Sequence, residues 1–137
     1  MGFSITHLII LALVVSSLVA TVFYILCLQN ALNLIDEPIR PISPKLAWLL
    51  LIPIFGFVWI FFLVNWVSQG YKRMGEAKRL TAETSAGFGV GIAYGVSLIL
   101  CLVPNLDLLP LIPFGVFWIL HWSQVSRASR LVIPIKN

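Results

Sequence analysis

The sequence is poor in charge. Of its 137 residues 9 are Lys or Arg and 5 are Asp or Glu, so charged residues make up 10% of the chain, against about a quarter in an ordinary water-soluble domain. So little polar surface cannot cover a water-facing exterior, and lipid is the solvent that suits the chain. The few charges it has stand in loops or at the ends of apolar runs. A proton-coupled carrier relies on an ionisable group inside the bilayer, and that class is excluded. Histidine and cysteine are scarce as well, two of each. The sequence has no Ser-His-Asp or Cys-His set, no metal-ligand spacing and no phosphate loop. An enzyme reading has no residues to rest on, and neither a cofactor nor a nucleic-acid partner is expected.

Long uncharged runs are what the sequence does have: Ile5 to Leu28, Leu46 to Val67, Ala86 to Val103 and Leu108 to Trp122. A helix of about 20 apolar residues crosses the roughly 30 Å hydrocarbon core. The first two runs clear that length, the third reaches it with Thr84 and Ser85, and the fourth is short enough to thin the bilayer or sit behind its neighbours. The expectation is an all-α membrane protein of four transmembrane helices in a single domain, 1–137. The first run has no Lys or Arg before it and is too long for a signal-peptide core. Basic residues set the orientation. Lys72, Arg73, Lys78, Arg79, Arg127, Arg130 and Lys136 fall on one side of such a bundle, and Arg40 and Lys45 on the other. The positive-inside rule then predicts a multi-pass bacterial inner-membrane protein with both termini in the cytoplasm.

The chain also reads as two tandem helical hairpins in parallel repeat, at about 5–69 and about 84–124, followed by a cytoplasmic tail, 125–137. Ile25-Leu26-Cys27-Leu28 matches Ile99-Leu100-Cys101-Leu102. Ile52-Pro53, Phe55-Gly56 and Trp59-Ile60 match Ile112-Pro113, Phe114-Gly115 and Trp118-Ile119. Such repeats are related by an axis along the membrane normal. Pro53 and Pro113 each remove a backbone donor, which predicts a matched pair of helix kinks.

Packing signals outweigh chemical ones. Gly87, Gly91 and Gly95 stand four apart on the third helix, and Ala12, Ser16 and Ala20 on the first. Small residues at this spacing let backbones approach closely. Either the two stripes pack together within the chain, or one meets a second copy or a partner helix. Trp48, Trp66 and Trp122 suit a membrane-interface belt. Trp59 and Trp118 lie deeper, suited to core packing or to a lipid tail, quinone or pigment. His7 and His121 sit at similar depth and are the sparse candidates for a haem or metal, the plainer reading being two interfacial histidines. Cys27 and Cys101 read as a disulfide pair or as small apolar side chains. The prolines between Asp36 and Pro44 favour an extended, stiff connector, and the apolar tail Leu131 to Ile135 favours a membrane surface or a partner.

Leu28-Gln29-Asn30-Ala31-Leu32, then Pro38, Arg40 and Pro44, then Trp48 to Phe55 and Val58-Trp59 resemble a pattern found in small uncharacterised bacterial integral membrane proteins. It covers about the second quarter of the chain. The resemblance implies a bacterial inner-membrane setting and carries no activity. The leading expectation is a non-enzymatic accessory or scaffold subunit, its partners membrane lipids and other membrane subunits or further copies of itself. The alternatives are a small oligomeric channel or carrier lined by Ser16, Ser17, Thr21, Tyr94 and Ser97, and a lipid- or quinone-binding protein.

Overall fold

The computed structural model describes residues 2–135. Among them the fold is all-α, with four helices: α1 (Ile5–Asn33), α2 (Phe55–Glu76), α3 (Phe88–Leu100) and α4 (Leu111–Arg130). Three 3-10 segments join them, at Glu37–Ile39, Pro44–Leu51 and Pro104–Leu106. The only β pairing among the described residues is a bridge between Leu80 and Val132.

α1 starts where the Ser4 hydroxyl accepts the His7 backbone N–H at 3.4 Å. It then runs 29 residues without Gly or Pro, a length of about 43 Å. Among the described residues it is the one helix long and apolar enough to cross a membrane on length and composition. α3 has 13 residues, about 20 Å. Arg40 stops α1. Its Nε donates to the Leu32 carbonyl at 2.9 Å, and its Nη2 donates to Asn33 at 3.0 Å and Ile35 at 2.8 Å. A cation there satisfies carbonyls that a helix end leaves orphaned.

The second apolar run is not one helix. It folds back on itself. Pro44–Leu51 forms a 3-10 return segment that climbs back along α1, with Trp48 Nε1 donating to Gln29 Oε1 at 2.8 Å. Ile52, which precedes the proline, is extended (φ −75°, ψ 116°), as a pre-proline residue prefers. Ile54 then takes φ 66°, ψ −55°, and Phe55 N–H donates to the Pro53 carbonyl at 2.7 Å. This is a γ-turn of the strained hand, and α2 begins at its end. Trp59 Nε1 donates back to the Leu46 carbonyl at 2.9 Å, tying α2 to the return segment.

This hairpin sets the topology. α1, α2 and α4 run in one direction and α3 in the other. Tyr71 on α2 donates to the Ala31 carbonyl on α1 at 3.1 Å and to Ser129 on α4 at 3.4 Å. The loops after α1 and α2, expected on opposite faces, therefore meet at one end. Arg79 Nε lies 2.9 Å from Asp36 Oδ2, and Arg73 donates to the Ile39 carbonyl at 3.2 Å. The start of α1 and the end of α4 lie at opposite ends, not together as expected. Between Asp36 and Pro44 the chain makes a 3-10 turn, Glu37–Ile39, rather than an uninterrupted extended strip. The tail pairs with its own protein: Thr81 N–H donates to Leu131 at 2.8 Å, and Ile133 N–H donates to Arg79 at 2.9 Å. Lys136 lies outside the described residues.

Both expected kinks are corrected. Pro53 stands in the turn before α2. Pro113 is the third residue of α4, in the first turn, where backbone N–H groups have no helical partner and a missing one costs nothing. Each proline marks the start of a helix instead of bending one. The helix directions depart from the expected parallel repeat. α2 and α4 both follow an apolar turn and run the same way, whereas α1 and α3 run oppositely.

The core packs the last third of α1, with Ile25, Leu28, Ala31 and Leu32 fully buried, against Leu63, Val67 and Met74 of α2 and Val125 of α4. Residues 5–19 of α1 are exposed on every side. Opposite the charged loops, the two turns present bare apolar side chains: Ile54 is 79% exposed, Leu108 72% and Ile112 70%.

Candidate functional site

A cluster of enclosed polar side chains lies where α1, α3 and α4 meet. The Tyr24 hydroxyl and His121 Nδ1 form a hydrogen bond of 2.7 Å, and the two residues are 2% and 0% exposed. Tyr94 stacks on the imidazole with ring centroids 6.5 Å apart and planes 11° apart. Tyr24 meets Tyr94, Trp118 and Trp122 edge-on. His121 Nε2 has no hydrogen-bond partner among the described residues.

The glycine stripe of α3 explains how the ring fits. A Cβ on Gly91 would lie 2.7 Å from His121 Nε2 and 2.6 Å from a Val64 methyl. A Cβ on Gly95 would lie 2.8 Å from the Phe61 ring. Gly87 caps α3 in the left-handed region at φ 76°, and a Cβ there would be 2.7 Å from Gln124 Oε1. Close approach is what such stripes permit, and here α2 and α4 take up the space. The stripe of α1 does not meet it: Ala12 and Ser16 are exposed and Ala20 is half-buried.

The other candidates are scattered. His7 lies near the free end of α1, its Nδ1 2.6 Å from Ser4 Oγ. It stands 17 residues before Tyr24, about 25 Å along the helix, so it cannot share a ligand with His121, which is buried rather than interfacial. Among the described residues no group of three His, Cys, Asp or Glu is placed to hold a metal ion. Cys27 and Cys101 are free. Trp59 sits in a ladder on α2, 5.1 Å from Phe55 and 5.3 Å from Trp66 between ring centroids. Trp118 belongs to a second ladder with Phe114 and Trp122 on α4. The two deep tryptophans thus belong to separate ladders on different helices. The hydroxyls expected to line a pore bond to their own helices: Ser17 to Val14, Thr21 to Ser17 and Ser97 to Ala93.

Beside the Tyr24–His121 pair lies an apolar cavity of about 210 Å³, lined by Thr21, Leu50, Ile60, Tyr94, Leu98 and Phe114 among others. At the charged end, one cleft of about 450 Å³ includes Lys72, Glu76, Thr84 and Ser85, and another of about 700 Å³ includes Gln124, Arg127 and Arg130. Sequence reasoning missed Tyr24 and the part Arg40 plays at the end of α1. A tyrosine among aliphatic residues in α1, and an arginine seven residues past the helix end, are the signals that carry them.

No protein-family model, no curated protein and no solved structure matches this chain. The residue pattern between Leu28 and Trp59 has a local meaning in this fold. Gln29, Arg40, Trp48, Pro53 and Trp59 are the residues that cap α1, turn the chain at Pro53 and pin the return segment.

Proposed function

We propose that the protein is a non-enzymatic accessory or scaffold subunit of a membrane complex, held by one full span and two half-depth hairpins. The observation that carries this reading is the bare first half of α1: residues 5–19 are exposed, and no other helix covers them. In lipid that surface is covered, and the exposed stripe of Ala12 and Ser16 suits a neighbouring helix. The glycine stripe of α3 is already filled, so the partner face moves to α1.

Helix lengths support the membrane geometry. From Ile5 to Gln29, α1 covers about 36 Å, a full hydrocarbon core. From Phe55 to Asn65, α2 covers about 15 Å, and from Leu111 to Ser123, α4 covers about 18 Å, half of one. Arg40, Lys45, Lys72, Arg73, Lys78, Arg79, Arg127 and Arg130 all belong to the end opposite the apolar turns. By the positive-inside rule that end is cytoplasmic. The start of α1 then faces the other side, and both hairpins enter from the cytoplasm and turn near the midplane.

Single cysteines in a chain with Cys27 and Cys101 changed to Ala test this. In intact cells an impermeant thiol reagent labels Gly2→Cys and not Gly75→Cys. Leu109→Cys stays unlabelled from both sides. Labelling of Leu109→Cys from outside would make α3 and α4 full spans and end the half-depth reading. For the scaffold role, a photo-crosslinker at Ala12 is expected to capture a membrane chain in native membranes. Solute flux or turnover by the purified protein alone in liposomes would overturn it.

The apolar cavity beside Tyr94 favours a second reading, a protein that holds a lipid chain. Mass spectrometry of co-purified lipid decides it, with loss of the lipid expected in Leu98→Trp.

A further inference from the structure

We infer that the protein is a one-leaflet wedge that bends the membrane toward a convex charged face. The inference rests on the half-depth reading above and concerns the consequence of that shape. Five segments share the half of the molecule nearest the charged loops: α1, the return segment Pro44–Leu51, α2, α3 and α4. Past the two apolar turns α1 continues alone, with residues 5–19 exposed all round. A helix is about 10 Å across, or about 80 Å² in section, so one leaflet holds about 300 Å² more protein than the other. A lone partner helix that spans beside Ala12 and Ser16 adds one segment to each leaflet and leaves the difference unchanged, at six segments to two.

The turns make this difference abrupt. Ile54, Leu108, Leu109 and Ile112 form a ledge of bare apolar side chains, each at least 70% exposed. No polar group of a lipid can rest on that ledge, so it must be met by acyl chains of the opposite leaflet. Lipid of the far leaflet fills the space above the ledge while the near leaflet is pushed apart. Excess area in one leaflet is relieved when that face becomes convex. The same asymmetry makes shallow helices sensitive to curvature, and here it is built from two hairpins and fixed by a transmembrane anchor.

The test uses the purified full chain in phosphatidylcholine vesicles, whose zwitterionic surface removes attraction of the basic loops to anionic lipid. Preparations of small sonicated and large extruded vesicles are compared. External trypsin cuts at Lys72 and Arg73 only in molecules whose charged end faces outward, and detergent gives the total. The ratio of outward to inward molecules is expected to rise about threefold or more in the small vesicles, whose outer face is convex. A ratio that does not change with vesicle size overturns the wedge. Shielding of Leu109→Cys is read in the same vesicles with Cys27 and Cys101 replaced. If it is shielded while the ratio is flat, the half-depth fold stands and the wedge falls. If it is labelled from the side opposite the charged loops, the half-depth reading falls and takes the wedge with it.

Discussion

α1 is one uninterrupted helix living in two environments. Its residues 24–32 lie in a packed interior with Tyr24, Ile25, Leu28, Ala31 and Leu32 at 0–2% exposure, while residues 5–19 are bare on all sides. Run length does not mark the boundary between the halves, since no charge falls anywhere between Ile5 and Asn33, although the buried half adds Tyr24, Cys27, Gln29 and Asn30 to its Leu and Ile. The difference lies in what the rest of the chain can reach. The hairpins are short: the return segment has 8 residues and α3 has 13. They cover only the end of α1 from which they start. A long apolar helix thus supplies the length of a span, and short partners decide how much of it is left bare.

Mutations sharpen that contrast, and the largest effect is expected at Gly91. A leucine there would drive into Val64 and His121, an overpacking that costs about 3 kcal/mol. Leu13→Ala on the bare half of α1 should change the stability of the body by no more than about 0.5 kcal/mol. All five tryptophans belong to the body, so fluorescence during titration with a denaturing detergent reads that part alone. Equal losses from the two variants would mean that the bare half is packed after all. Arg40→Ala comes next, at about 2 kcal/mol, because it strips a charged donor from the carbonyls of Leu32, Asn33 and Ile35. Ile54→Gly is expected to act in the opposite direction. It relieves a β-branched residue at φ 66° and should stabilise by about 1 kcal/mol. A loss on this change would show that the Ile54 side chain, not the turn, holds the hairpin.

The sequence made some of this legible. The all-α class and the long first helix follow from uncharged runs and from the absence of Gly and Pro between Ile5 and Asn33. The close approach of α3 follows from its glycines, although their neighbours proved to be α2 and α4. The return hairpin was not legible, because apolar run length cannot tell one long helix from a short segment, a turn and a second helix. Pro53 carried the signal, and its two readings, a kink or a helix start, differ only in what the next residue does. Ile54 turns to positive φ, which nothing in its side chain favours. The loop after α1 was misplaced for the same reason, since a single extra reversal moves Arg40 and Lys45 to the end that carries the other basic residues. The Tyr24–His121 pair escaped because its members are 97 residues apart, and only the helix directions bring them together.

The smallest energetic effect gives the sharpest topological test. Asp36 and Arg79 are joined at 2.9 Å, with side chains 28% and 24% exposed, so solvent and salt screen the pair. A double-mutant cycle is expected to return a coupling of about 0.5 kcal/mol that fades as salt is raised. Position matters more than strength here. If the run from Leu46 to Val67 crossed the bilayer as one helix, Asp36 and Arg79 would stand on opposite faces, separated by about 30 Å of hydrocarbon. In the return hairpin they touch. With Cys27 and Cys101 changed to Ala, the paired change Asp36→Cys and Arg79→Cys should therefore be joined by a bifunctional thiol reagent, detected as an intramolecular shift on gels. A reagent about 10 Å long covers the length of the lost arginine and aspartate side chains and cannot reach across about 30 Å of hydrocarbon. Failure of the pair to link, while Leu80→Cys and Val132→Cys do link across their bridge, would separate the loop after α1 from the charged end and restore the four-span arrangement.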